Sequence, residues 1–278
     1  MKKTELSFQQ KLWKGTGTFF YSIRPMILYS VLPALLMSLG MTFFGNRTAD
    51  QVISGSGNFY YTAGILLTIF LLHKASKKRG SSLFEDVTLD FKALNRKKAL
   101  FLAGTGFGFG FFFSALITVV PFPKFLIESY SGASNSLSQG PDQALALCST
   151  ILLAPFVEEI IFRGYMLNRL LGWFDVKQSM LLVSLVFALF HVSPLWIAYA
   201  FFMGLFLARI SIDEDDIAYS IALHMGFNLN VLPIWLINRS EAASSVLFGS
   251  KLLVAAYGIA ACLFGIWLLQ KYRKETKQ

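Results

Sequence analysis

Charged residues and cysteines are scarce in this sequence. Charged side chains make up 15% of its 278 residues, whereas a soluble domain carries about a quarter, so a soluble globular fold is excluded. The two cysteines, Cys148 and Cys262, lie in separate apolar stretches, which excludes a disulfide framework and indicates packing roles. No apolar stretch begins before residue 26, and no small-residue cleavage site is evident there, so no cleaved signal peptide is expected.

The sequence is instead rich in long apolar runs. Hydrophobic residues make up 55% of the chain, and the mean hydropathy is +0.55. Each run is close to the roughly 20 residues that span a bilayer as a helix; the runs are 26–44, 57–73, 99–121, 143–171, 179–193, 195–210, 217–237 and 251–270. Because lipid offers the backbone no hydrogen-bond partners, each run is predicted to be helical. We therefore expect an all-α membrane bundle of about eight transmembrane helices in a single domain, residues 1–278.

Basic residues are concentrated in alternate connecting segments. With Arg163 and Arg169 left aside as helix residues, 19 Lys and Arg lie in one set of segments and 4 in the other. The first set is 1–24, 74–98, 172–178, 209–216 and 271–278, and the second is 45–56, 122–142 and 238–251. Positive residues accumulate on cytoplasmic loops. Both termini are therefore expected in the cytoplasm, and the formal charge of +9 indicates topology in the cell membrane rather than nucleic-acid binding.

Three further stretches have specific predicted structures. Residues 1–24 interleave aromatic residues with lysines, which predicts a cytoplasmic segment lying in the membrane interface. Residues 74–98 contain eight basic and three acidic side chains, and we expect a solvated cytoplasmic loop beside the lipid headgroups. In the run 104–110, glycines alternate with other residues. Glycines four apart in an apolar helix predict close approach of a neighbouring helix.

The block 143–171 contains ionisable residues at helix-interior positions. Such residues cost about 2.5–3.5 kcal/mol each even on the mildest scale, and they usually mark function. Glu159 and Arg163 are four residues apart, so they lie on one helical face and are predicted to form an ion pair. Glu158 is rotated from Glu159 by about 100°. It therefore needs partners from other helices.

Few polar side chains are available as partners for Glu158. Of the three histidines in the chain, His191 and His224 fall inside predicted spans. Asn228 follows His224 by four residues and lies on the same helical face. At about 1.5 Å per residue from the predicted cytoplasmic ends, the four residues lie at depths of roughly 16–22 Å. We therefore expect them to meet at one level in the membrane.

This grouping fits several kinds of site. A carboxylate beside a histidine can hold and deprotonate water, and a second histidine with an amide can donate hydrogen bonds to an oxyanion. Glu158, His191 and His224 can instead bind zinc with one open position. The same groups can also join helices by hydrogen bonds or line a transport pathway. The residue types alone leave these alternatives open.

Three motifs on separate predicted helices resemble those of one family. EEIIFRG at 158–164 is similar to E-E-x-x-x-R-G, FALFH at 187–191 to F-x-x-x-H, and HMGFN at 224–228 to H-x-x-x-N. In this order they resemble the CAAX-protease and bacteriocin-processing family of intramembrane endopeptidases. The resemblance covers roughly residues 143–235, the expected catalytic core. The H-E-x-x-H and G-x-G-D motifs of other intramembrane proteases are missing.

The resemblance implies a role for each motif residue. Glu158 would be the general base that activates water, assisted by His191. His224 and Asn228 would form the oxyanion hole. Glu159 and Arg163 would be supporting residues. The family is usually regarded as glutamate-dependent, so no cofactor is expected, and zinc on Glu158, His191 and His224 is the alternative.

The resemblance also implies a class of substrate and the partners that go with it. The expected substrate is a membrane-associated protein or peptide, processed as a CAAX protein, as a bacteriocin or other peptide, or in self-immunity. The expected partners are that substrate and the lipid bilayer, without nucleic acid. A non-proteolytic immunity or scaffold protein, or a transporter, is the alternative function.

Overall fold

Helices account for all the regular structure in the part of the chain that is described. The computed structural model describes residues 8–43, 49–138, 142–191 and 193–277, and these contain no strand. The helices are α1 Phe8–Phe43, α2 Ala49–Lys78, α3 Leu83–Asp86, α4 Arg96–Val119, α5 Lys124–Ser138, α6 Gln143–Leu170, α7 Val176–Leu189, α8 Pro194–Glu214, α9 Ile217–Leu229, α10 Val231–Asn238, α11 Glu241–Phe248 and α12 Lys251–Glu275. The predicted all-α class is confirmed.

Six helical segments in the described residues are long and apolar enough to cross a membrane. They are Ser22–Phe43, Arg96–Val119, Gln143–Leu170, Pro194–Glu214, Ile217–Asn238 and Lys251–Thr276. α7 is apolar but has only 14 residues, or about 21 Å of helix, against a hydrocarbon core of about 30 Å. The chain is thus a multi-pass membrane protein. The count of about eight spans and the cytoplasmic location of both termini stay predictions.

The predicted interfacial segment 1–24 lies only partly within the described residues. Residues 1–7 fall outside them, and residues from Phe8 onward form the first part of α1. The candidate span in this helix begins at Ser22. The location of the segment in the membrane interface stays a prediction.

The contacts between helix termini define two ends of the bundle. At one end, Lys98 Nζ at the start of α4 lies 2.9 Å from Glu214 Oε2 at the end of α8, and Tyr272 near the end of α12 donates to Glu214 over 2.7 Å. We call this the basic end. At the other end, the ring of Tyr130 in α5 lies 5.8 Å from that of Trp196 near the start of α8. We call this the α5 end.

α4 packs closely against two helices through its alternating glycines. Gly106 and Gly110 face α9, where a Cβ at Gly106 would lie 2.0 Å from a carbonyl oxygen. Gly104 and Gly108 face α12, where a Cβ at Gly108 would lie 2.5 Å from a carbonyl oxygen. The predicted close helix approach is therefore confirmed, and it occurs on both sides of α4. The contact with α9 matters most, because α9 carries the H-x-x-x-N motif.

Part of the segment 74–98 is packed into the protein, unlike the solvated loop expected from its charges. Leu83, Val87 and Leu89 are buried in the main apolar core. Ser82 and Glu85 cap the short helix α3 by reciprocal hydrogen bonds. The prediction was wrong at these positions. Three apolar side chains in a charged stretch are enough to pack it against the core, because their burial is favourable.

A polar cluster fixes this segment against the end of α2. The Asp86 carboxylate accepts hydrogen bonds from Ser76, Ser81 and Arg79. Burial acts to raise the pKa of Asp86, but these hydrogen bonds outweigh it, and the pKa lies below its ordinary value. The charged carboxylate therefore helps to keep residues 79–90 in place at the basic end.

Gly164, the last residue of the E-E-x-x-x-R-G motif, is required by this packing. A Cβ at Gly164 would lie 2.4 Å from the Cβ of Val87, and both residues are buried. We expect Gly164→Ala to lower the free energy of unfolding by about 1–3 kcal/mol, the usual range for overpacking. Thermal unfolding in detergent measures this. Gly132→Ala is the matched control, because a Cβ there meets nothing within 4 Å. An unchanged midpoint for Gly164→Ala would contradict the packing explanation.

Candidate active site

α6 is wound irregularly on both sides of its two glutamates. Its turns Ser149–Leu153 and Ile160–Leu167 are π-helical, and they flank the α-helical stretch Ala154–Glu159. At the start of this stretch, the Ala154 N–H donates to Ser149 O, five residues back. The next residue, Pro155, has no N–H to donate. Single π-helical turns are frequent at functional sites. They change the direction in which Glu158 and the residues after it point.

Glu159 and Arg163 form the predicted ion pair, and both are completely buried. Arg163 Nη1 lies 2.8 Å from Glu159 Oε1. Arg163 Nη2 donates to the carbonyl oxygen of Gly204 in α8 over 3.0 Å. The guanidinium also lies over the ring of Phe187 in α7, 4.6 Å from its centroid. A buried charge pair with such additional partners joins three helices.

His224 lies between the two glutamates. Its Nδ1 is 2.9 Å from Glu159 Oε1, and its Nε2 is 3.8 Å from Glu158 Oε2. Because Glu159 is a carboxylate paired with Arg163, it accepts, and Nδ1 carries the hydrogen. The 3.8 Å separation exceeds a hydrogen bond. Nε2 therefore faces Glu158 without being bonded to it.

Glu158 is held by a tyrosine that the motifs did not reveal. Tyr29 in α1 donates its hydroxyl hydrogen to Glu158 Oε1 over 2.9 Å. The hydroxyl of Tyr61 in α2 lies 2.8 Å from that of Tyr29. Since Tyr29 has one hydrogen and gives it to the carboxylate, Tyr61 donates to Tyr29. The two hydroxyls form a chain of donors that ends on Glu158.

The sequence contains only a weak signal for these two tyrosines. Both lie in predicted apolar spans, 26–44 and 57–73, where a buried hydroxyl needs a hydrogen-bond partner. Tyr60 directly precedes Tyr61, and nothing local decides which of the two hydroxyls lies near Glu158. The contact between Tyr29 and Glu158 joins residues 129 positions apart. Only the folded chain identifies it.

His191 lies in a turn just beyond α7 rather than inside a span. Its Nδ1 is 2.9 Å from the carbonyl oxygen of Phe187. A carbonyl oxygen only accepts, so Nδ1 carries the hydrogen and Nε2 is left as the basic nitrogen of the neutral ring. The ring packs edge-on against Phe187 and Trp196. These contacts fix the orientation of the imidazole.

Asn228 lies one turn beyond His224 in α9, as expected from the spacing. Its Nδ2 donates to the carbonyl oxygen of Thr150 over 2.8 Å. Thr150 belongs to the first π-helical turn of α6. One amide hydrogen of Asn228 is used in this bond, and the second is available to another acceptor.

One cavity contains all four predicted site residues. Its volume is about 480 Å³, and Glu158, His191, His224 and Asn228 all line it. Glu159 and Arg163 are not in its lining. The rest of the wall is rich in aromatic side chains, which include Tyr29, Tyr61, Phe113, Tyr130, Trp196, Tyr199, Phe227 and Trp235. An enclosure of this kind suits a peptide segment with apolar side chains.

Among the residues that the structure describes, no three His, Cys, Asp or Glu side chains are arranged to hold a metal ion. His224 Nδ1 is already bonded to Glu159. The expectation of no cofactor, with zinc on Glu158, His191 and His224 as the alternative, stays a prediction.

The buried ion pair should respond strongly to the loss of one partner. Arg163→Met leaves Glu159 buried without its cationic partner and with only the hydrogen bond from His224, so we expect the free energy of unfolding to fall by about 3–5 kcal/mol. Adding Glu159→Gln should recover part of this loss, because the uncompensated charge is then removed.

The control is Arg209→Met. Arg209 forms the same i,i+4 pair with Asp213, but its side chain is 57% exposed, and exposed pairs contribute about 0–1 kcal/mol. Thermal unfolding in detergent compares the variants. Equal losses for Arg163→Met and Arg209→Met would contradict the importance of burial.

Comparison with known proteins agrees with the motifs. Residues 140–230 match the family model described as type II CAAX prenyl endopeptidase Rce1-like. No curated protein matches the chain, and no solved structure matches it either. The matched stretch contains all three motifs but none of α1 to α5. The resemblance seen in the motifs is thereby confirmed: residues 140–230 of this multi-pass membrane protein match a family of CAAX-type membrane endopeptidases.

Proposed function

We propose that the protein hydrolyses a peptide bond of a membrane-associated protein or peptide, with Glu158 as the general base. The proposal rests on one observation: a single cavity is lined by Glu158, His191, His224 and Asn228. The family match, which implies a membrane endopeptidase, supports it. Each of the three motifs thus contributes at least one polar side chain to the cavity.

The hydrogen bonds around Glu158 favour its action on water. Tyr29 occupies Oε1, so Oε2 is the oxygen that accepts a hydrogen bond from water in the cavity. Glu158 takes one proton from this water while the oxygen attacks the peptide carbonyl carbon. The C–N bond then breaks, and the proton passes to the leaving amine. His191 assists through Nε2, because its Nδ1 is held by the Phe187 carbonyl.

His224 and Asn228 are proposed to stabilise the oxyanion of the tetrahedral intermediate. Asn228 contributes its second amide hydrogen. His224 donates from Nε2 only as an imidazolium, because Nδ1 is committed to Glu159. The carboxylates of Glu159 and Glu158 lie on either side of that charge. Glu159 and Arg163 thus act as supporting residues that orient His224.

Replacement of Glu158 tests the assignment. We expect Glu158→Gln and Glu158→Ala to lower kcat by about 10²–10⁴-fold, the usual contribution of a general base. The assay uses purified protein in liposomes with two quenched fluorogenic peptides, one a farnesylated CAAX peptide and one an unprenylated apolar peptide. Glu128→Gln is the control, since Glu128 is 64% exposed in α5.

The outcome separates the alternatives. Cleavage that is unchanged in Glu158→Ala would contradict the peptidase mechanism and favour the non-proteolytic immunity, scaffold or transport function. Loss of wild-type cleavage on chelation, with recovery on added zinc, would instead place Glu158, His191 and His224 in a zinc site.

The tyrosine chain predicts a non-additive effect on catalysis. Tyr29→Phe removes the hydrogen bond to Glu158 Oε1, and we expect kcat to fall about 10-fold with KM unchanged. Tyr61→Phe should have a smaller effect, because it acts through Tyr29. In the Tyr29→Phe background, Tyr61→Phe should therefore add nothing.

Steady-state kinetics of the two single variants and the double variant measure this coupling. Tyr257→Phe is the control, because Tyr257 lies on the exposed face of α12, 37% accessible. Additive losses in the double variant, or a fall in KM and kcat together, would contradict a chain of donors that orients Glu158.

A further inference from the structure

We infer that substrate enters the cavity from the α5 end, on the extracytoplasmic side of the membrane, and is an extracytoplasmic peptide segment. This inference rests on the proposed function and names the substrate class of the same site. Three independent observations carry it: where the cavity lies along the helices, how the basic end is closed, and where the basic residues are.

The cavity lies between the middle of the bundle and the α5 end. In α4 it is lined by residues 110–117, which belong to the half of the helix farther from the basic end. In α8 it is lined by residues 196–203, at the beginning of the helix. In α6 the lining begins at Gln143, the first residue of the helix. Each of these stretches leads from the level of Glu158 toward the α5 end.

The basic end is closed beneath the site. The lining residues Phe162 and Phe187 are buried on the side of Glu158 that faces the basic end. Closer to the basic end, Val87 packs on Gly164, and the Ile217 N–H donates to the carbonyl oxygen of Thr88 over 3.0 Å. The segment 79–95 therefore seals this end of the bundle. A peptide that approached from this side would have to displace buried core residues.

The charges orient these two ends with respect to the membrane. The closed end includes segments 74–98, 209–216 and 271–278, and together with segments 1–24 and 172–178 this set contains 19 Lys and Arg. The alternate set of segments, 45–56, 122–142 and 238–251, contains 4. Positive residues in short loops are retained in the cytoplasm. The closed end is therefore the cytoplasmic end, and the cavity faces outward.

The chemistry of the lining favours an internal peptide bond over a CAAX terminus. A CAAX substrate ends in a free carboxylate three residues beyond the cut, which is about 10 Å of extended chain. The described residues that line the cavity include no Lys or Arg. Without a Lys or Arg, the wall has no permanently charged partner for that carboxylate, and Glu158 would repel it. The aromatic and aliphatic side chains of the rest of the wall fit the apolar side chains of a continuous peptide segment.

Cysteine accessibility tests the direction of entry without requiring cleavage. The background is Cys148→Ser with Cys262→Ser. Gln143→Cys places a thiol at the mouth of the cavity, and Lys177→Cys places one at the start of α7 on the basic end; both positions are exposed. A membrane-impermeant sulfonated maleimide is added to intact cells. We expect Gln143→Cys to be labelled there and Lys177→Cys to be labelled only after permeabilisation.

The opposite pattern would overturn the inference, and so would labelling of both thiols in intact cells, since that indicates dual insertion. A second measurement follows cleavage of a membrane-impermeant apolar fluorogenic peptide by sealed vesicles. We expect cleavage in right-side-out vesicles and its loss in inside-out vesicles. Cleavage of the farnesylated CAAX peptide added to inside-out vesicles would overturn the inference.

The two proposals fail in distinguishable ways. If Glu158→Ala keeps full activity, the proposed function fails while the labelling pattern can still hold. If Glu158→Ala abolishes cleavage but the labelling is reversed, only the direction of entry and the substrate class fail.

Discussion

The ion pair between Glu159 and Arg163 is the interaction on which the rest of the site depends. Neither charge is exposed, so each must be compensated inside the protein. Arg163 obtains its further partners from α8 and α7, through the Gly204 carbonyl and the Phe187 ring. Glu159 obtains its partner from α9, through His224. One buried pair therefore fixes four helices relative to one another, and these four contain all three motifs.

Residues outside the matched segment complete the site. α1 and α2 contribute the tyrosines that hold Glu158, and α4 holds α9 in place by the close approach at Gly106 and Gly110. The motif residues alone would leave one oxygen of Glu158 without a donor. The conformation of Glu158 is thus set by helices in which no motif is recognised, because hydrogen bonds act between neighbours in space.

The charged segment between α2 and α4 has two functions in the fold. Its lysines and arginines are the basis on which this end of the bundle is predicted to be cytoplasmic. Its apolar residues Leu83, Val87 and Leu89 close the bundle below the site. The motif residue Gly164 makes room for Val87. The residue type at position 164 is therefore determined by packing against Val87. Glu158 and His224, in contrast, line the cavity.

Several features could be predicted from the sequence because they depend on local spacing or on composition. The apolar runs determine an all-helical membrane protein, since only a helix satisfies every backbone group within one segment in lipid. The four-residue spacing determines the ion pair between Glu159 and Arg163 and the common face of His224 and Asn228. The order of the three motifs predicted the family match, and the four site residues predicted from the sequence line one cavity. Their catalytic roles stay predictions.

Other features were decided only by the tertiary structure. Tyr29 contacts Glu158 across 129 positions, and His224 contacts Glu159 across 65; no periodicity within a helix encodes such pairs. The burial of Val87 likewise depends on which residues pack against it in the folded chain. The sequence by itself determined the kind of protein and its polar residues, because hydrophobicity and helical spacing are local properties. The tertiary structure decided which atoms face Glu158, because that is set by the packing of helices far apart in the chain.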